Sequence, residues 1–162
     1  MSSNPFTQDP DRSAIWTMLV DRDIAAFLAA DWSMVEPDFI EAMFLGIDGK
    51  GADNPDGWHI GFPTLAAYRD EWLRQARQSQ TVAYAEDRGA AIHRATTLAD
   101  IEISGDVALA HKKFDGSIAR ADGGKDVLNW QSLYFCRRDR GTWKLTGFAG
   151  YLPYPMGKAQ KA

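Results

Sequence analysis

Residues 126–152, "DVLNWQSLYFCRRDRGTWKLTGFAGYL", decide the fold of this 162-residue chain. Two runs rich in aromatic and apolar residues flank Asp139, Arg140 and Gly141. Such runs read as strands, and a short glycine-containing turn between them makes the pair antiparallel. The pattern recurs upstream in "TTLADIEISGD" (96–106) and "VALAHKKFDG" (107–116), which meet at Ser-Gly-Asp. A looser glycine-rich loop over residues 121–126 links the two pairs. Four consecutive strand-like runs predict an antiparallel meander.

The amino-terminal half has a different rhythm. In "QDPDRSAIWTMLVDRDIAAFLAADW" (8–32), Asp9 is placed to cap a helix and Pro10 to occupy its first position. Helical spacing puts Ile15, Met18, Leu19, Ala25, Ala26 and Ala29 on one broad face. Asp31 caps a second, short helix that Pro37 helps to end, and "FIEAMFLGI" (39–47) reads as a strand. The turn-rich "DGKGADNPDGW" (48–58) is a loop too short to link domains. Helical spacing returns in 62–80, with Thr64 as cap and Leu65, Tyr68, Trp72 and Ala76 on one side. The expected class is α+β, with helices gathered on one face of a curved antiparallel sheet. One domain is expected over residues 1–162, with 1–9 and 154–162 as flexible ends.

Composition narrows the function. A formal charge of −4 with scattered basic residues argues against nucleic acid as a partner. Cys136 is the single cysteine, and the three histidines have no metal-ligand spacing, so no metal and no cofactor is expected. "GIDGKGADNPDG" (46–57) lacks the Lys-Ser/Thr end of a phosphate loop and the terminal glutamate of a calcium loop. No Gly-x-Ser-x-Gly elbow occurs. No apolar leader or membrane-length run is present, so a cytoplasmic location is expected and no membrane partner.

Helices followed by a meander that ends in "RRDRGTWKLTGFAGYL" (137–152), with "AADW" (29–32) after the first helix, resemble the nuclear-transport-factor-2-like, or SnoaL-like, cone fold. The resemblance covers roughly residues 10–153. It implies a sheet wrapped around helices, a cavity for a small and often apolar ligand, and a homodimer formed through the outer sheet face. Relatives include scytalone dehydratase, ketosteroid isomerase and polyketide cyclases, beside modules that only bind.

The resemblance also assigns roles. "HRATTLADIEIS" (93–104) is similar to the segment that carries the catalytic histidine in scytalone dehydratase, which makes His93 a candidate general base. Leu28 stands where that family's orienting aspartate would lie. Alternation divides "VLNWQSLYF" (127–135) into Asn129, Gln131, Leu133 and Phe135 on one side and Trp130, Ser132 and Tyr134 on the other. The resemblance turns Asn129 and Gln131 inward to hold a ligand oxygen, and Trp130 and Tyr134 outward to a dimer contact. His111 faces in if Val107 and Leu109 do, and out if Ala108 and Ala110 do. Tyr68, Trp72, Trp32 and Trp58 are expected in the cavity wall or core, and His59 on the surface. Asp48 lies near the position of ketosteroid isomerase's base, although its glycine neighbours favour a turn, and Asp23 near the position of that enzyme's tyrosine. Two functions follow. One is a cofactor-independent dehydratase, isomerase or cyclase using His93 on a cyclic or polyketide-like compound. The other is a non-catalytic ligand-binding or assembly module. A carboxylate within hydrogen-bond reach of His93 separates them.

Overall fold

The computed structural model describes residues 2–156. The expectation of a flexible tail over 157–162 lies outside them. Helix α1 (Pro10–Trp16) starts where the Asp9 carboxylate accepts the Arg12 backbone N–H at 3.1 Å, with Pro10 at the first position. It continues through a π turn (Thr17–Arg22) into α2 (Asp23–Ala29), which ends at Ala30 in the left-handed region, φ 51°. A π turn holds more residues per turn than an α-helix and so rotates the face that follows it. Met18, Leu19 and Val20 are consequently all buried, followed by Ile24 and Ala26. Ala25 and Ala29, which uninterrupted spacing puts on that face, are exposed.

Strand β1 (Leu45–Asp48) is shorter than the expected run, because Glu41–Met43 coils into a 3-10 turn before it. Strand β2 (His59–Phe62) follows the expected loop directly, an element the sequence reading does not include, and His59 on it is exposed. Helix α3 (Leu65–Gln80) is capped by Thr64 and buries Leu65, Tyr68, Trp72 and Ala76, as its spacing predicts. Helix α4 (Arg88–Ala95), capped by Asp87, is an addition that eight residues of mixed composition do not announce. The meander follows as β3 (Thr96–Ser104), β4 (Val107–Ala119), β5 (Lys125–Asp139) and β6 (Thr142–Leu152).

The six strands form one curved, open sheet in the order β2-β1-β6-β5-β4-β3. Strands β3 to β6 pair antiparallel as expected, but β1 runs parallel to β6, so the sheet is mixed. That parallel contact sets Leu45 opposite Gly147, where a Cβ would collide with the Leu45 carbonyl. Only glycine lets the two backbones approach there.

The faces of β5 are the reverse of those implied by resemblance. Register pairs Lys112 with Ser132 and Phe114 with Trp130, and facing residues in an antiparallel pair share one side of the sheet. The Phe114 and Trp130 rings stack at 4.4 Å under the helices. Trp130, Ser132 and Tyr134 therefore point inward, while Asn129, Gln131, Leu133 and Phe135 point outward. Alternation alone fixes the two sets. Packing chooses between them, and burying the aromatic set removes more apolar area from water. His111 goes to the outer face, since Ala108 and Ala110 are buried and Val107 and Leu109 exposed.

Helices α1, α2 and α4 cover the inner face, where Ile15, Leu19, Ile24 and Ile92 pack with Leu98, Ala110 and Leu145. A second, aromatic cluster joins Trp32, Phe44, Phe62, Tyr68, Trp72 and Phe148. The described part of the leading residues makes contacts with the rest of the domain. Ser2 Oγ donates to the His93 carbonyl at 2.7 Å, Asn4 Nδ2 to Ser13 Oγ at 2.9 Å, and Phe6 packs on the core.

Candidate functional site

Between the helices and strands β4 to β6 lies a chamber of about 120 Å³. Helix α3 contributes Tyr68 and Trp72, α2 contributes Ile24 and Phe27, and α4 contributes Ile92. The sheet closes it with Phe114, Trp130 and Phe148. An outer vestibule of about 680 Å³ shares Gln75, Trp130 and Tyr151 with the chamber, so these three side chains stand between the two. Tyr151 reaches that position through a bulge. The register jumps from Leu133↔Ala149 to Gln131↔Leu152, and Tyr151 takes φ 54°. Such an irregularity re-aims a side chain, here toward Gln75, whose Nε2 donates to the Tyr151 hydroxyl at 3.2 Å.

The polar end of the chamber is built around Asp23, the first residue of α2. Its Oδ2 accepts from the Lys112 ammonium at 2.8 Å, and the same ammonium donates to the Leu19 carbonyl inside the π turn. The Lys112 side chain is 1% exposed, and its nitrogen lies 5.0 Å from the Phe114 ring centre. Ser132 and Tyr134 add hydroxyls to the same wall. Burial pushes the Tyr68 and Tyr134 hydroxyls well above the usual tyrosine range, with the negative charge of Asp23 acting in the same direction. Burial also pushes Tyr151 up to about 12. All three hydroxyls therefore remain protonated donors at neutral pH. The chamber can hold an apolar group between rings, donate hydrogen bonds to an oxygen, and present one carboxylate.

The expected site residues fall in several places. Tyr68 and Trp72 line the chamber. Trp32 packs behind them, its ring centre 5.3 Å from that of Trp72. Trp58 stays in the 48–58 loop region, donating from Nε1 to the Ala52 carbonyl at 3.1 Å. Asn129 and Asp48 line the vestibule, and Asn129 Nδ2 donates to Asp115 at 3.2 Å. Gln131 is buried on the outer face, its oxygen bonded to His111 Nε2 and its nitrogen donating to the Pro153 carbonyl at 2.6 Å. Neither Gln131 nor His111 reaches the chamber.

His93 is outside the chamber as well. It sits in the last turn of α4, one residue past Ile92, and neighbouring helical residues point about 100° apart. Ile92 lines the chamber while the His93 Nδ1 meets Ser2 Oγ at 3.2 Å. Among the described residues no carboxylate is hydrogen-bonded to the ring. Leu28 offers only its backbone carbonyl, to Arg88 at 2.9 Å and Gln80 at 3.1 Å. The polar groups that line the chamber include Asp23, Ser132, Tyr134 and Tyr151, and not His93, Asn129 or Gln131. No three histidine, cysteine, aspartate or glutamate side chains cluster as a metal site among the described residues, and no helix there is long and apolar enough to cross a membrane.

No protein-family profile and no curated protein matches the sequence. Solved structures do match the fold. A nuclear-transport-factor-2-like protein of unknown function from Pseudomonas putida is 18% identical, with 96% of this chain and 94% of that one covered and a TM-score of 0.58. A nuclear-transport-factor-2-like superfamily protein from Salmonella enterica gives 12% identity, 96% and 100% coverage and a TM-score of 0.59. A protein of the same kind with a cystatin-like fold, from Novosphingobium aromaticivorans, gives 14%, 93% and 85%, and 0.55. The chain has the nuclear-transport-factor-2-like fold, and identities this low carry architecture without activity.

Burial lowers the His93 pKa from the ordinary 6.5, with the Lys112 charge acting in the same direction and Asp21 opposing. The folded state thus favours neutral imidazole. Its contribution to stability is complete above pH 6.5 and is lost as pH falls below that value, where the unfolded chain takes up the proton first. Urea denaturation at pH 7.5 and 5.5 should show wild type losing more stability between the two than His93→Gln does. Equal losses would mean that the ring is not held neutral.

Proposed function

We propose that this chain binds a small, mostly apolar molecule, seating its apolar end in the aromatic chamber and its polar group against Asp23, Ser132 and Tyr134. The observation that carries the reading is one carboxylate, fixed by a buried lysine, in a chamber otherwise walled by rings, aliphatic groups and a few neutral polar groups. An apolar cavity of roughly 150 Å³ accepts benzene, so about 120 Å³ suits a ring or branched group of similar size or slightly smaller. A larger cyclic or polyketide-like ligand would extend into the vestibule. With His93 turned away, binding is the reading that the geometry favours. Turnover is the second reading, supported by the pairing of Asp23 with hydroxyl donors. Asp23 would take a proton from carbon while Tyr134 and Ser132 hold the developing oxyanion, an isomerase- or dehydratase-type step without a cofactor.

The homodimer through the outer sheet face is part of the same proposal, with different residues in it. Val107, Leu109 and Met43 are about half exposed and flank a groove of about 370 Å³ with Phe135. Glu102 and Arg137 also line that groove, so a two-fold copy can set each against the other's opposite charge.

Cyclohexanone in deuterated water tests the chamber and both readings of it. Tryptophan fluorescence should saturate with wild type but not with Ile24→Phe, which fills the chamber. Exchange of the α-protons by wild type but not by Asp23→Asn would establish turnover, and binding without exchange leaves a binding protein. No saturable response from wild type would remove the proposal. For the dimer, light scattering should give twice the chain mass for wild type and the single mass for Leu109→Glu. A monomeric wild type at micromolar concentration would contradict it.

A further inference from the structure

We infer that the ligand of the chamber is a small organic cation, an amine or quaternary ammonium whose head sits between the aromatic rings and the free oxygen of Asp23; this rests on the chamber being the ligand site. The first support is the wall itself. Tyr68, Trp72, Trp130, Tyr134 and Phe148 line it, while Phe114 is stacked on Trp130 at 4.4 Å and already carries the Lys112 ammonium 5.0 Å from its ring centre. Aromatic faces carry negative charge density, and enclosures of several rings are favourable surroundings for ammonium groups.

Charge supplies the second support. Asp23 is the one charged side chain lining the chamber. Its partner Lys112 is not part of that lining, and its ammonium is already engaged by Leu19, by Asp23 Oδ2 and by the Phe114 ring. Among the described residues no group hydrogen-bonds the other oxygen, Oδ1. A ligand entering from the chamber side meets the carboxylate before the lysine. The negative charge of Asp23 is felt by the Tyr68, Tyr134 and Tyr151 hydroxyls alike, which are kept protonated. An anionic head would face that same field with no cation on the wall to receive it.

The adjoining vestibule agrees. The vestibule is lined by Asp48, Asp53 and Glu71 against a single lysine, Lys50. Glu71 is held down to about 2 by its bond to Arg74 and is thereby matched, but neither Asp48 nor Asp53 forms an ion pair among the described residues. A neighbouring cavity of this sign concentrates cations and repels anions. The chamber volume also fits a head of the size of trimethylammonium.

Three probes of one shape and different charge test the inference: choline, 3,3-dimethylbutan-1-ol and 3,3-dimethylbutanoate, each titrated into the full chain at pH 7.5 by calorimetry. Choline should bind about tenfold or more tightly than the alcohol, and the carboxylate should not saturate. In Asp23→Asn the ratio of choline to alcohol affinity should collapse toward one, and the alcohol titration shows in the same sample that the chamber is intact. Alcohol or carboxylate binding as well as choline overturns the cation assignment and leaves the binding site standing. Failure of choline while cyclohexanone binds does the same. Failure of every probe, cyclohexanone included, overturns the chamber as a ligand site and the inference with it.

Discussion

The ammonium of Lys112 lies between the first helical layer and the sheet, almost wholly out of water, and holds Leu19 and Asp23 in place. A charge in such a position is tolerated only when it is paired and hydrogen-bonded, so its partners cannot drift. One of them is a main-chain carbonyl in the π turn. A side chain that inserts into the i→i−4 ladder is a recognised cause of local helix distortion. The distortion in turn rotates α2, so that Asp23 and Ile24 face the chamber and Ala25 faces solvent. One buried lysine on β4 thus links helix geometry, sheet docking and the polar end of the cavity.

The rest of the chamber depends on which side of the sheet each strand shows to the helices. Phe114, Trp130 and Tyr134 reach it by ordinary alternation on β4 and β5. Tyr151 reaches it because the β5–β6 register slips by the bulge at the end of β6. Without that slip the boundary between chamber and vestibule would lose the hydroxyl that meets Gln75. Gly147 serves the same geometry from the other side, since it lets β1 dock in parallel and carry Asp48 to the vestibule.

Much of this was legible in the sequence. The four meander strands, the Asp9 and Thr64 caps and the buried side of α3 follow from local patterning, which is where sequence signals are strongest. The facing of β5 was not, because alternation yields two sets without saying which one the helices cover. His93 turns away from the chamber for a related reason: its segment is the end of a short helix, where a one-residue step turns the side chain by about 100°. The Lys112–Asp23 pair had a signal that went unused. A lysine in phase with Ala108, Ala110 and Phe114 breaks an otherwise apolar stripe, and such a residue needs a counter-charge from the opposing layer. The partner could not be named without the π turn, a tertiary response that periodicity does not encode.

Lys112 and Asp23 act as a unit, and a double-mutant cycle of unfolding free energies measures that directly. Lys112→Met should destabilise the fold by about 3 kcal/mol, because it leaves the Leu19 carbonyl and the Asp23 carboxylate without their donor. Adding Asp23→Asn should recover about 1 kcal/mol or more of that loss, giving a coupling well outside additivity. Destabilisation by Lys112→Met of less than about 0.5 kcal/mol, or two substitutions that simply add, would show that the pair does not hold the helix and the chamber together.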